Sequence, residues 1–148
     1  MQKELNLKYS ISQSIDSGLY ASMLAFASIF LMDKGMNNSN IGILLAITSV
    51  ASIIIQTFFA NFTDKHKSIQ LQDIMTVLLI IVIISSAALF FVSSPIVFLI
   101  AVLIAYSFAR ASTPFLNSLA FIYEDDGIHV DYGIGRAFGS LAYAVYVL

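Results

Sequence analysis

Residues 74–92 read IMTVLLIIVIISSAALFFV, a stretch without a single charge. A helix needs ~20 residues to cross the hydrocarbon core of a bilayer, and this run is of that length. It is rich in β-branched and large apolar residues on every side, so it reads as a helix facing lipid over most of its surface. Similar runs lie on both sides of it, over 11–32, 41–62 and 96–123, and a fifth begins at 133 and continues to 148. Polar or turn-forming segments divide them: DKGMNNSN, TDKHKSIQLQD, SSP and EDDGIHVDYG. Unpaired backbone groups are costly in lipid, so such runs are helices or closed-barrel strands. They lack period-two alternation, which excludes the barrel.

Composition agrees. Hydrophobic residues make up 59% of the 148 positions and charged residues 11%, whereas a soluble domain is about half apolar and about a quarter charged. The shortage of charge means that much of the surface needs no water, and the lipid bilayer is the first partner to expect. A net charge of −2 gives nucleic acid no general electrostatic hold, so no nucleic-acid partner is expected. There is no cysteine, which removes disulfides, thiol catalysis and cysteine-ligated metals. His66 and His129 stand far apart, and no nucleophile–base pair or phosphate loop is present. The expectation is a protein that is not an enzyme and uses no cofactor and no metal. The opening MQKELNLKYS is polar and lacks the cleavage pattern of a signal peptide, so the first apolar run should stay in the membrane.

Lys and Arg orient the chain. With the N-terminus in the cytoplasm, Lys3, Lys8, Lys65 and Lys67 fall in or beside cytoplasmic segments, Arg136 lies just past one, and Lys34 alone falls outside. A multi-pass cell-membrane protein with a cytoplasmic N-terminus is therefore expected. In the first run, Ser14, Gly18 and Ser22 recur at four-residue spacing, a stripe that lets helices approach closely. Ser49, Ser52 and Gln56 in the second suit either helix contact or a cavity. Tyr9, Tyr123 and Tyr132 fall where an aromatic belt would place them.

Ionisable groups inside apolar runs are the first candidates for function. Arg110 is roughly halfway along the fourth run, where a charge costs at least ~2.5–3.5 kcal/mol on insertion scales. It should face protein or water. Pro114 and Asn117 follow on the same helical face, which suits a solute path; pairing of Arg110 with Asp16 to lock two helices is the other reading. Asp16 can solvate at the interface, form an ion pair or exchange protons, since burial raises a carboxylate's pKa. Arg136 is surrounded by Gly133, Gly135 and Gly139, and those glycines leave room for another backbone at its level. Its fixed fork of donors suits carboxylates, phosphates and sugar hydroxyls. Asp64 would end the second helix, where the dipole disfavours a negative charge. It needs a cation or another helix's N-terminus, unless the loop is simply solvated.

Three segments now carry a family likeness. SNIGILLAITSVASIIIQTFFANFTDK (39–65), STPFLNSLAFIYE (112–124) and YGIGRAFGSLAYA (132–144) resemble the second, fourth and fifth helices of the N-terminal half of the major facilitator superfamily. The likeness spans nearly all of the chain and points to the branch of oligosaccharide–proton symporters that includes lactose permease. It implies an all-α, polytopic membrane protein: four complete transmembrane helices plus a truncated fifth, from an N-terminal six-helix bundle. In that branch a polar fourth-helix position and a fifth-helix arginine bind the sugar; the matching positions are Asn117 and Arg136. Lactose permease has a carboxylate where Asn117 stands. A neutral amide can hydrogen-bond a hydroxyl but does not pair with Arg136. The loop after the second helix departs from the family's signature at Ala60 and Lys67, where glycine is usual. By resemblance, Asp64, beside Lys65, takes part in gating between outward and inward states.

The resemblance makes a sugar or oligosaccharide–proton symporter the first functional expectation, with a small hydrophilic solute and protons as its cargo. A drug–proton antiporter of the same superfamily is the alternative, since exporters often carry a fourth-helix arginine like Arg110. A small membrane subunit or a gene remnant is the third. Twelve residues follow Arg136, too few to cross a bilayer at ~1.5 Å each. The expectation is thus a partial N-terminal bundle over 1–148, with the C-terminal half of the transporter missing and no transport by the piece alone.

Overall fold

Every backbone N–H and C=O of a lipid-embedded segment must be satisfied within the protein, and here helices meet that demand. The computed structural model describes residues 2–66, 68–125 and 127–148; Lys67, one of the orienting charges, lies outside them. The described elements are α1 (Gln2–Tyr20), a π-helical turn (Ala21–Ala25), α2 (Ala27–Asp33), α3 (Asn38–Lys65), α4 (Leu71–Phe91), α5 (Pro95–Asp125) and α6 (Tyr132–Val147). Counting α1, the π turn and α2 as one run, these are five helices. Gln2–Asp33, Asn38–Lys65, Leu71–Phe91 and Pro95–Asp125 are long and apolar enough to cross a membrane. The first begins near Gln2 rather than near Ile11, because the polar opening residues continue the helix. The π turn had no signal in the sequence reading.

Local chemistry fixes the ends. Gly35 and Gly127, at φ 84° and 77°, occupy the left-handed region that glycine adopts without Cβ strain. Each closes a Schellman motif. Gly35 N donates to Met32 O at 2.9 Å and Met36 N to Leu31 O at 3.1 Å. Gly127 N donates to Glu124 O and Ile128 N to Tyr123 O. Asn37 caps α3 by accepting from Asn40 N at 2.8 Å, Gln70 and Asp73 form a capping box on α4, and Asp131 caps α6 by accepting from Ile134 N. Pro95 opens α5, where its missing N–H costs nothing.

The chain forms two compact units, Met1–Ala27 with Thr113–Leu148, and Ser28–Ser112. In the second unit α4 buries one narrow stripe, Ile74, Leu78, Val82 and Ser85, and exposes Ile83, Ile84, Phe90 and Phe91, as a lipid-facing helix does. Buried Thr48 and Ser52 of α3 and Ser85 of α4 return their hydroxyls to their own helix carbonyls. Ser49 does likewise. The hydroxyls of these α3 residues are thus satisfied within their own helix.

The first unit rests on α1 against α6. Gly135 and Gly139 are buried. A Cβ on Gly135 would collide with the ring of Tyr9, and one on Gly139 would meet Ser17 Oγ at 2.8 Å and Gln13 O at 3.2 Å. From the other side, a Cβ on Gly18 would meet the Tyr146 ring at 2.6 Å. Ser14 and Ser22, the neighbours of Gly18 in its stripe, instead bond carbonyls of their own turn. Tyr9, placed by the sequence reading at the membrane boundary, is only 4% exposed, because the glycine of α6 receives its ring. Gly135 and Gly18 should therefore rank. Tyr9 cannot yield, whereas the exposed Tyr146 can swing away. Gly135→Ala is expected to cost about 1–3 kcal/mol and Gly18→Ala clearly less, as read by thermal unfolding in detergent; equal losses would contradict this account of the seam.

Candidate functional site: a polar cavity beside the α1–α6 seam

The glycine contacts set two rows of side chains opposite each other. On α1, Gln13, Asp16, Ser17 and Tyr20 recur at three- and four-residue steps, which place them on one helical face. On α6, Arg136, Ser140 and Tyr143 do the same. Between them lies a cavity of about 420 Å³, lined by Asp16, Ser17 and Tyr20 of α1, Thr113 of α5, and Arg136, Ser140 and Tyr143 of α6. Pockets that hold small solutes run from ~300 to ~1,000 Å³. The lining joins a carboxylate, a guanidinium, three aliphatic hydroxyls and two phenols. The rings of Tyr20 and Tyr143 stand 6.3 Å apart at 51° and form an aromatic wall across the two helices.

The charges are held differently. Asp16 is half-buried, and its Oδ2 accepts from Thr113 Oγ1 at 2.9 Å, so α5 fixes the carboxylate at the cavity wall. Arg136 is exposed to the cavity and makes no ion pair among the described residues. Its donors remain available to a solute, in the planar fork that suits paired oxygens.

Asn117, one turn beyond Thr113, is engaged elsewhere. Gln13 is fully buried and its Nε2 donates to Asn117 Oδ1 at 3.0 Å and to Tyr9 Oη at 2.7 Å. That network ties α1 to α5 behind the seam. Asp16 and Arg136 thus share the cavity, while the carbonyl of Asn117 is spent on Gln13. Asp131, at the start of α6, takes a further bond from α1, its N–H donating to Asn6 Oδ1 at 2.9 Å.

Arg110 belongs to the other compact unit and is half-buried. Its carbonyl has a distinct role. Pro114 stands inside α5 and has no N–H to return to the carbonyl four residues earlier. Gln56 Nε2 of α3 donates to that Arg110 oxygen at 3.4 Å, a long bond to a group the proline leaves orphaned. Asp64 and Lys65 lie exposed on the last turn of α3, where Lys65 suits the helix dipole; Asp64 makes no ion pair among the described residues.

Gln13, Ser17, Tyr20, Thr113, Ser140 and Tyr143 were not singled out from the sequence. The signal was present, in two polar rows with matching helical steps, but polar residues near helix ends also occur where nothing binds.

The fold and site define a class: a multi-pass helical membrane protein with a polar, partly charged cavity among its helices. The chain belongs to the MFS_1 like family, whose profile matches residues 14–148, and hence to a family of membrane transporters that are generally not enzymes. No curated protein and no solved structure matches it.

The Gln56–Pro114 relation can be tested as a cycle. Gln56→Leu should cost about 1 kcal/mol by leaving a part-buried carbonyl unsatisfied. In a Pro114→Ala background the new amide takes that carbonyl, and Gln56→Leu should then cost much less. Equal costs in both backgrounds, measured by denaturation in detergent, would show that Gln56 does not serve the orphaned group.

Proposed function

We propose that this chain supplies the N-terminal bundle of a secondary active transporter that carries a sugar or oligosaccharide with protons. The observation that carries the reading is the cavity itself, in which an uncompensated arginine fork faces a fixed carboxylate amid hydroxyls and tyrosine rings. A sugar offers vicinal hydroxyls to the fork and apolar C–H faces to the aromatic wall. In this reading Arg136 binds solute hydroxyls. Asn117 contributes its remaining amide donors from the side of α5, and Arg110 lines the solute path further along that helix. Asp16 exchanges the proton, since protonation would remove the charge from its bond with Thr113, weakening it, and reset the cavity's charge. Asp64 and Lys65 act in the loop that gates the inward and outward states, with the N-terminus in the cytoplasm. Alternating access needs a second bundle rocking against the first around a shared site, so these residues alone are expected to move no solute. Arg110, half-buried midway along α5, favours a second reading, a drug–proton antiporter, which would require apolar cations as cargo.

Uptake into vesicles from cells producing the assembled transporter separates these readings. Arg136→Gln should lower sugar uptake at least tenfold, with Arg136→Lys intermediate, because a point charge lacks the bidentate fork. Asp16→Asn should abolish accumulation against a gradient while sparing sugar counterflow. Sugar uptake that survives Arg136→Gln, or loss of accumulation and counterflow together in Asp16→Asn, would remove the corresponding role. Export of lipophilic cations without sugar uptake would establish the antiporter instead.

A further inference from the structure

The second compact unit holds a cavity of its own, lined by none of the residues assigned to transport. It measures about 390 Å³ and opens between the α2–α3 turn and the α4–α5 turn. Leu89, Phe98 and Leu99 line its apolar part, and Lys34, Asn40 and Ser93 its polar part. Three observations bear on its use. Lys34 is the only Lys or Arg in either of the two turns that frame it, and its ammonium makes no ion pair among the described residues. Neighbouring Asp33 is not part of the lining. The ammonium is also positioned: Nζ lies 6.0 Å from the centroid of the Phe30 ring, which itself stands 6.0 Å from the ring of Phe98, and the Gly35 Schellman turn fixes the backbone beside it. Finally, the cavity lies at the ends of apolar spans, with Phe90, Phe91 and Ile96 exposed on the helix ends beside it.

We infer that this cavity binds the headgroup end of an anionic phospholipid, with Lys34 holding the phosphate, Asn40 and Ser93 bonding the headgroup's oxygens, and an acyl chain lying on Leu89, Phe98 and Leu99. Charge complementarity selects an anionic lipid over a zwitterionic one, because a lone ammonium without a carboxylate partner is left uncompensated by a neutral headgroup. One lysine near a membrane surface contributes a preference of about fivefold.

The chain contains no tryptophan, so a single introduced indole reports without background. Phe91→Trp and Ile96→Trp place it on exposed positions beside the cavity but outside its lining, and Ile83→Trp places one on the lipid-facing surface of α4. Each variant, in nanodiscs, is titrated with brominated phosphatidylglycerol or brominated phosphatidylcholine, and quenching is read. The proposal expects about fivefold preference for phosphatidylglycerol at Phe91→Trp and Ile96→Trp, none at Ile83→Trp, and loss of the preference when Lys34→Gln is added. A preference absent at both reporters beside the cavity, or unchanged by Lys34→Gln, overturns it. A preference abolished by millimolar inorganic phosphate also overturns it, since the site would then take a free anion.

Discussion

The close approach of α1 and α6 at Gly135 and Gly139 is the contact on which the candidate site depends. Lipid tails are as apolar as leucine, so no hydrophobic force drives one spanning helix onto another, and association rests on contact and on polar bonds. Glycine provides the contact. Without a Cβ at either position, α6 lies against the Tyr9 ring and within van der Waals reach of the Gln13 carbonyl. Glycine in a helix costs roughly 1 kcal/mol against alanine, and the seam offsets that cost by the contacts it gains. Arg136 lies between these two glycines in sequence, so the contact that joins the helices also sets the level at which Arg136 joins Asp16 in the cavity lining.

Polar groups complete what the glycines begin. Gln13 is buried and binds Tyr9 and Asn117 at once, so one side chain ties the α1 end of the seam to α5. Thr113 holds the Asp16 carboxylate from the same stretch of α5. Gln56 answers the carbonyl that Pro114 leaves open in the other unit. In each case a polar side chain is spent on structure, and the cavity keeps the groups with capacity to spare: Arg136, Ser17, Ser140 and the two tyrosine hydroxyls.

The helical class was legible because the demand for backbone satisfaction in lipid leaves few alternatives, and 74–92 carries no charge to obscure it. The glycines around Arg136 also spoke directly, since a missing Cβ has meaning whatever lies opposite. The fates of polar residues were not legible. Whether the amide of Asn117 faces a solute or a neighbouring glutamine depends on side-chain contacts between helices a hundred residues apart. The burial of Tyr9 was not legible for the same reason. A tyrosine near a helix end suits a membrane boundary as well as a glycine notch, and only the partner helix decides. Ser49 and Ser52 could line a cavity or bond their own turns, and spacing alone does not separate the two.

The central claim is that the α1–α6 seam encloses a water-filled solute cavity within the membrane. The chain has no cysteine, so single cysteines can be read without background. Ser17→Cys and Ser140→Cys face the cavity, and Leu141→Cys, 64% exposed and outside the lining, serves as the lipid-facing reference. Labelling with a charged, water-borne thiol reagent should modify the first two and spare the third, and saturating sugar should protect both cavity positions. Labelling at Ser17→Cys and Ser140→Cys no faster than at Leu141→Cys would contradict the account.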